Sequence, residues 1–321
     1  MSSLPAILSA CVMCWAASAA VAQSYPARPI RLIVATAPSG GQDAAARSIS
    51  RQLESQIGHP VIVDNRPGAN GIVGYDLVAK AVPDGYTLVH TSIAFAINPS
   101  VYRKLPFDVV RDFVPITNVI EGQGSLVVVG TAVTARTLKE LMALAGEKPL
   151  SYSSPGIGNV LHMLNAAFLA KARVDMLHVP YKGAGPALNA VLGNEVHMMF
   201  APPLVALQHV RNGRLRALAY SGARRLEALP DVPTIAEAAL PGFQMSSGWH
   251  AWFAPAGTPD TIVNKLYLEL HRALQQPKLR EFFLSAGYEP VADPPATFQK
   301  AFKADIPRWA EIARIAKIQP E

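Results

Sequence analysis

The stretch "IVATAPSGGQDAAAR", residues 33–47, passes from a β-branched apolar run through Pro38-Ser39-Gly40-Gly41 into alanine-rich sequence. It predicts a strand, a tight break and a helix. A helix start carries backbone N–H groups with no intrahelical partner and a partial positive charge, so this junction suits an anion. A phosphate loop is excluded, because Gly41 is followed by Gln42-Asp43 where Lys and Ser or Thr would be needed. Asp43 and Arg47 stand four apart and can pair on one helix face. A carboxylate is a poor direct contact for an anion, so Asp43 is read as a brace that fixes the glycines.

Strand-like and helix-like segments alternate outward from this junction. Strands are expected at 30–36, 61–64, 86–92, 125–129, 150–153, 176–179, 196–200 and 215–219, and helices at 43–57, 73–81, 138–145 and 159–171. Helices dominate after Pro259. Such alternation predicts α/β architecture with parallel sheets covered on both faces, and it puts strand-to-helix loops at the carboxyl edge where open sheets bind ligands. Besides Pro38–Gly41, the second such loop is Ser153-Ser154-Pro155-Gly156-Ile157-Gly158-Asn159. Two helix starts facing one cleft would hold an anion between them.

The chain has 321 residues, 50% of them apolar and 16% charged, and a net charge of +6. That suits a folded protein of two domains and argues against disorder. Met1 to Ala22 carry no charge and end in Ala20-Val21-Ala22. This reads as a signal peptide cleaved after Ala22, and hence as export to a periplasm. Leu8-Ser9-Ala10-Cys11 offers lipidation at Cys11 as an alternative. Both cysteines, Cys11 and Cys14, fall in this leader, so no thiolate metal site is expected beyond it. No histidine pair has zinc-helix spacing. No Lys/Arg block marks nucleic-acid binding. Gly156-Ile157-Gly158 has Leu161 where a dinucleotide fingerprint needs its third glycine, and no Gly-x-Ser-x-Gly elbow is present.

Within the second loop, Asn159 can cap the following helix or donate its amide, and His162 can face a ligand or brace the loop. Ser153 and Ser154 offer hydroxyls or make a turn. Lys182 is read as exposed, and Trp249 and Trp252 as core.

Taken together, "PSGGQDAAAR", "VIVDNRPGANGIVGYDLVAKAVPDGYTLV" (residues 61–89), "YSSPGIGNVLHM", "HVPYKGAGPAL", "LPDVPTIAEAALPGF" and "GWHAWFAPAGTP" resemble the periplasmic substrate-binding receptors of tripartite tricarboxylate transporters, the Bug family. The resemblance implies a two-lobed, hinged binding protein with its ligand cleft between lobes. One lobe would comprise residues 24–124 with 250–321, the other 125–249, crossing near Gly122–Gly124 and Ser246–Gly248. It implies a carboxylate held by backbone N–H groups, hydroxyls and waters. Ser39, Gly40 and Gly41 would act from one lobe, and Ser154, Gly156, Gly158, Asn159 and His162 from the other, with Gly183 bordering the cleft. Ser39 stands where that family often has glycine, and Asn159 where it often has a hydroxyl residue. The expectation is a monomeric receptor without cofactor or metal that serves membrane components of a transporter. The alternatives are a secreted enzyme with His162 as general base, and a sensor for a signalling partner.

Overall fold

The computed structural model describes residues 25–315 together with Ile318 and Pro320. The leader, with its expected cleavage after Ala22 and the alternative at Cys11, lies outside the described residues. Eleven strands form two sheets among the described residues. The first contains β1 (Ile30–Val34), β2 (Val61–Asn65), β3 (Thr87–Ser92), β4 (Phe113–Gly122), β10 (Gly248–Pro255) and β11 (Tyr288–Pro290), in the order β11-β4-β10-β3-β1-β2. The second contains β5 (Leu126–Gly130), β6 (Ser151–Ser154), β7 (Leu177–Pro180), β8 (Met198–Ala201) and β9 (Leu215–Tyr220), in the order β7-β6-β8-β5-β9.

Around the first sheet lie α1 (Gly41–Ile57), α2 (Ile72–Ala79), α3 (Ala94–Val101), α9 (Asp260–Leu274), α10 (Pro277–Ser285) and α11 (Pro295–Ile315). The second carries α4 (Leu138–Glu147), α5 (Val160–Ala172), α6 (Ala184–Leu192), α7 (Pro203–Arg211) and α8 (Ile235–Ala238). Period-two alternation explains how the first sheet is covered on both faces. Ile30, Leu32 and Val34 of β1, with Trp252 and Ala254 of β10, face the layer of α1, α9 and α10. Ile33 of β1, with Trp249, Ala251 and Phe253 of β10, faces α2, α3 and α11. Trp249 and Trp252 are both buried. Helix α1 supplies Ala45, Ala46, Ile49 and Leu53 to its layer, the stripe that its sequence period predicts.

The sheets are mixed rather than wholly parallel. β1 runs parallel to β2 and β3, and β6 to β7 and β8, but β10 is antiparallel to β3 and β4, and β5 to β8 and β9. Connectivity is the reason. The chain leaves the first sheet at the end of β4 and re-enters it at Gly248, which is paired with Gly122. The returning strand must therefore run the opposite way. β5 enters the second sheet under the same constraint.

The two crossings are tied together. Ser247 N–H donates to Gly122 O and its hydroxyl to Gly124 O. Ser125 also exchanges hydrogen bonds with Ser221, just after β9, and a Cβ on Gly124 would stand 2.5 Å from the nitrogen of Gly222 there.

The face of the first sheet towards α3 is closed by an aromatic cluster. Phe95 stacks on Phe302 of α11 (5.7 Å, 9°) and meets Tyr75, Phe113 and Phe253 at 4.7–5.1 Å. Phe302→Ala removes the ring that joins α11 to α3. It is expected to lower unfolding stability by about 3–5 kcal/mol, measured by denaturant titration, with little effect on a wild-type far-UV spectrum.

Candidate functional site

Four helices, one from the first lobe and three from the second, begin at the wall of one cavity. Gly40, Gly41 and Gln42 belong to the start of α1, Asn159, Val160 and Leu161 to that of α5, Ala184 opens α6, and Pro202 precedes α7. Thr36, Ser92, Pro155, Ser247, His250 and Tyr288 complete the lining. None of these residues carries a charge at neutral pH. Each helix start favours an anion, by up to ~2 kcal/mol when partly buried. Four together exceed what one exposed cation would supply, since surface ion pairs contribute about 0–1 kcal/mol.

The first loop is held from behind. Asp43 is buried at the start of α1, and its carboxylate accepts the Ser39 N–H (3.0 Å), the Asn65 side-chain amide (3.0 Å) and Arg47 Nε (3.0 Å). Burial alone would push this carboxyl up. The hydrogen bonds from Arg47, Asn65 and Ser39 outweigh it and hold the group below its ordinary value. Ser39 adopts φ 66°, a left-handed conformation that a non-glycine residue takes at some cost, and the Asp43 bond to its N–H pins it there. With Asp43 occupied in this way, the amides of Gly40, Gly41 and Gln42 have no hydrogen-bond partner in another element among the described residues.

The second loop is held by a stack of rings. His162 Nδ1 accepts the Gly158 N–H (3.1 Å), and its ring lies flat on His178 at 4.0 Å, with Tyr152 packed beside both rings, 4.9 Å from His178 and 6.5 Å from His162. His178 Nε2 lies 2.6 Å from Ser154 Oγ, which also takes the Gly156 N–H. Burial lowers His162 to about 4 and His178 to about 3, so both are neutral at physiological pH. Asn159 caps α5 by accepting the Leu161 N–H on Oδ1 (3.0 Å), which leaves its Nδ2 hydrogens uncommitted.

The residues nominated from sequence thus separate. Gly40, Gly41 and Asn159 line the cavity. Ser39 is exposed beside it, and Ser154, Gly158 and His162 form the support beneath the second loop. Gly156 borders a neighbouring cavity that shares Thr36 and Pro155 with the first, so both loops open on one interlobe crevice. Gly183 caps α6 at the junction between lobes. Gln42, Ser92, Pro202, Ser247, His250 and Tyr288 carried no local signal of a site. They arrive from separate strands, helix starts and the second crossing.

The lobes are closed on one another. The Ala37 N–H donates to Lys182 O (3.2 Å) across the junction. Gly185 of α6 packs so tightly on the first loop that a Cβ there would stand 2.8 Å from Pro38 O. Backbone meets backbone at this point, and a side chain at position 185 would hold the lobes apart.

An uncharged, anion-favouring cavity walled by two lobes that the chain joins twice defines a solute-binding protein. The chain belongs to the tripartite tricarboxylate transporter family receptors, TctC, whose family model matches residues 45–318. It is 36% identical over 298 residues to protein BugT of Bordetella pertussis, covering 91% of this chain and 90% of that one. Among solved structures it is similar to periplasmic binding protein BugD (TM-score 0.88, 31% identity, 92% and 100% of the two chains). It is also similar to R. palustris Rpa4515 with adipate (0.88, 29%, 92% and 100%) and to MatC from Rhodopseudomonas palustris with bound malate (0.81, 30%, 90% and 99%). As a member of this receptor family, the chain is a solute-binding protein rather than an enzyme.

Two expectations follow. Gly185→Ala leaves each lobe folded but opposes closure, because its methyl group meets a backbone carbonyl. Small-angle scattering with any acid that binds the wild type is expected to show a more open molecule, and affinity falls at least about tenfold, ~1.4 kcal/mol. Asp43→Asn removes a carboxylate whose lowered pKa stabilises the fold. That stability is fully present above the unfolded value near 4 and is lost as pH falls below it through the folded value. The variant is expected to be about 1–2 kcal/mol less stable at pH 7, a difference that shrinks towards pH 2 in thermal melts.

Proposed function

We propose that this protein is a periplasmic receptor that closes on a single small carboxylate and presents the closed form to the membrane components of its transporter. One observation carries the reading. Four helix starts from two lobes meet at one cavity whose lining has no charged side chain. The bound adipate and malate of the two related structures support a carboxylate guest. The amides of Gly40, Gly41 and Gln42 from one lobe, with Val160, Ala184 and the Asn159 side chain from the other, are the donors. Ser154, Gly156, Gly158, His162 and Gly183 shape the crevice, and Ser39 and Asp43 set the first loop. The lobes divide near Gly122–Gly124 and near Ser246–Gly248, and the receptor acts as a monomer.

The mechanism is a shift of population. A guest that touches both lobes binds the closed state better than the open one, and closure follows that difference in affinity. No bond to the guest is made or broken.

A thermal-shift panel of mono-, di- and tricarboxylates, with malate and adipate included, tests this. At a hundred times its Kd an acid is expected to add about 2.7 kcal/mol of stability, and chromatography should recover it unchanged. A panel in which no acid raises Tm, or in which one is consumed, would overturn the receptor reading.

A further inference from the structure

We propose that His250 is the residue of this cavity that reads a second polar group on the guest. In this assignment His90, sealed behind it, fixes the neutral His250 ring with its proton on Nε2. The inference rests on the carboxylate-receptor reading.

Sheet register places the pair. His250 lies opposite Ser92, and Trp252 opposite His90, on the antiparallel β3–β10 pair. His90 and His250 therefore project from one face as diagonal neighbours. His90 Nε2 and His250 Nδ1 are 3.3 Å apart. His250 is nine-tenths buried yet lines the cavity, whereas His90 is wholly buried. Since Nδ1 of His250 is engaged by His90, Nε2 is the nitrogen left for whatever enters.

The direction of the shared bond follows from what lies behind it. His90 Nδ1 is buried with no partner. If His250 donated to His90, the His90 proton would sit on that Nδ1 as a buried, unpaired donor. Buried N–H donors are left orphaned more rarely than buried acceptors. The indole of Trp252 stands perpendicular to His90 with centroids 6.5 Å apart, and its own Nε1–H is buried without a partner. A second unpaired donor beside it would be worse than a bare lone pair. His90 therefore donates from Nε2, and His250 keeps its proton on its own Nε2.

The groups that face His250 keep it uncharged. They are His90 from β3 and Tyr288 from β11, whose ring lies 5.5 Å away. Burial lowers His250 to about 3, burial and the neighbouring imidazole lower His90 well below its ordinary value, and burial pushes the Tyr288 phenol up. The cavity thus offers amides from its helix starts and, from β10, one neutral N–H. The guest class that uses both is a small acid with an additional acceptor oxygen, such as a keto group or a second carboxylate. A plain alkanoate uses only the amides.

The test combines tautomer and affinity. Long-range ¹H–¹⁵N spectra of histidine-labelled wild type, without any acid, are expected to show His250 with a protonated Nε2 and a bare Nδ1 from pH 5.5 to 8. His90→Phe should mix the two forms. Adipate against hexanoate, and 2-oxobutyrate against butyrate, form matched probes. Every acid of the four that raises Tm with an added oxygen should move the Nε2–H resonance. His250→Phe should weaken that acid about tenfold more than its plain partner, and His250→Gln, which keeps a donor at the ε position, should restore most of the loss. A proton on Nδ1, a bound keto acid or diacid that leaves Nε2 unmoved, or equal losses for both members of a pair would each overturn the inference while the receptor reading stands. If no acid of the wider panel binds, that reading falls, and with it the ligand-contacting role of His250. The spectrum of the free protein still decides the tautomer.

Discussion

The structure depends on bringing several helix starts to one cavity that has no charged side chain in its lining. A carboxylate taken from water needs several kcal/mol of compensation. An arginine could provide it, but it would itself have to be desolvated, and a buried ion pair often returns little net gain. Helix starts avoid that cost, because their dipoles are fixed by the fold and, at α1, the N–H groups of Gly40, Gly41 and Gln42 have no partner in another element among the described residues. The requirement is geometric. Four helices must begin at one place, and the chain achieves this by closing two α/β lobes on each other with their strand-to-helix edges facing.

That geometry explains the residues behind the cavity. Asp43 and Arg47 are the charged groups tied most directly to the first loop, and Arg47 turns to Asp43 and Asn65. The carboxylate sits on the supporting side of the loop, where it anchors Ser39, and its partners keep it from opposing an anion in the cleft. On the other lobe the same task falls to uncharged rings. The Tyr152–His178–His162 stack supports the Gly156–Gly158 loop by packing and by one acceptor nitrogen. Both solutions leave the cavity free of net charge and insensitive to modest changes of pH.

Much of the scaffold was legible from local pattern, because apolar runs and glycine breaks are local facts. The β1–α1 junction, the second loop, the buried tryptophans and most central strands fall where periodicity puts them. Strand β4 does not, because Pro115 interrupts it. The fold tolerates that proline since β11 pairs only with Ile120–Gly122, so β4 has no neighbour on that side near residue 115, and the register against β10 shifts close by. The antiparallel entries of β5 and β10 were hidden for a different reason. They follow from the chain crossing between lobes, which no window of sequence contains. The cavity wall was the least legible part. Gln42, Pro202, Ser247, His250 and Tyr288 are drawn from places far apart in the chain and become neighbours only when both sheets are built and closed.

Closure and recognition also share parts, and this links the ligand to the hinge. β10 begins at the second crossing, where Ser247 N–H bonds Gly122 O and Ser247 lines the cavity, and two residues later the same strand delivers His250. Tyr288 touches this region from β11, and the Gly287 carbonyl beside it accepts the Gln123 N–H of the first crossing. A guest seated against His250 and Tyr288 therefore presses on residues next to both crossings. The starts of α5 and α6 line the same cavity from the second lobe. Binding energy and hinge position are then one equilibrium. The tight backbone approach of Gly185 to Pro38 limits how far the lobes can close.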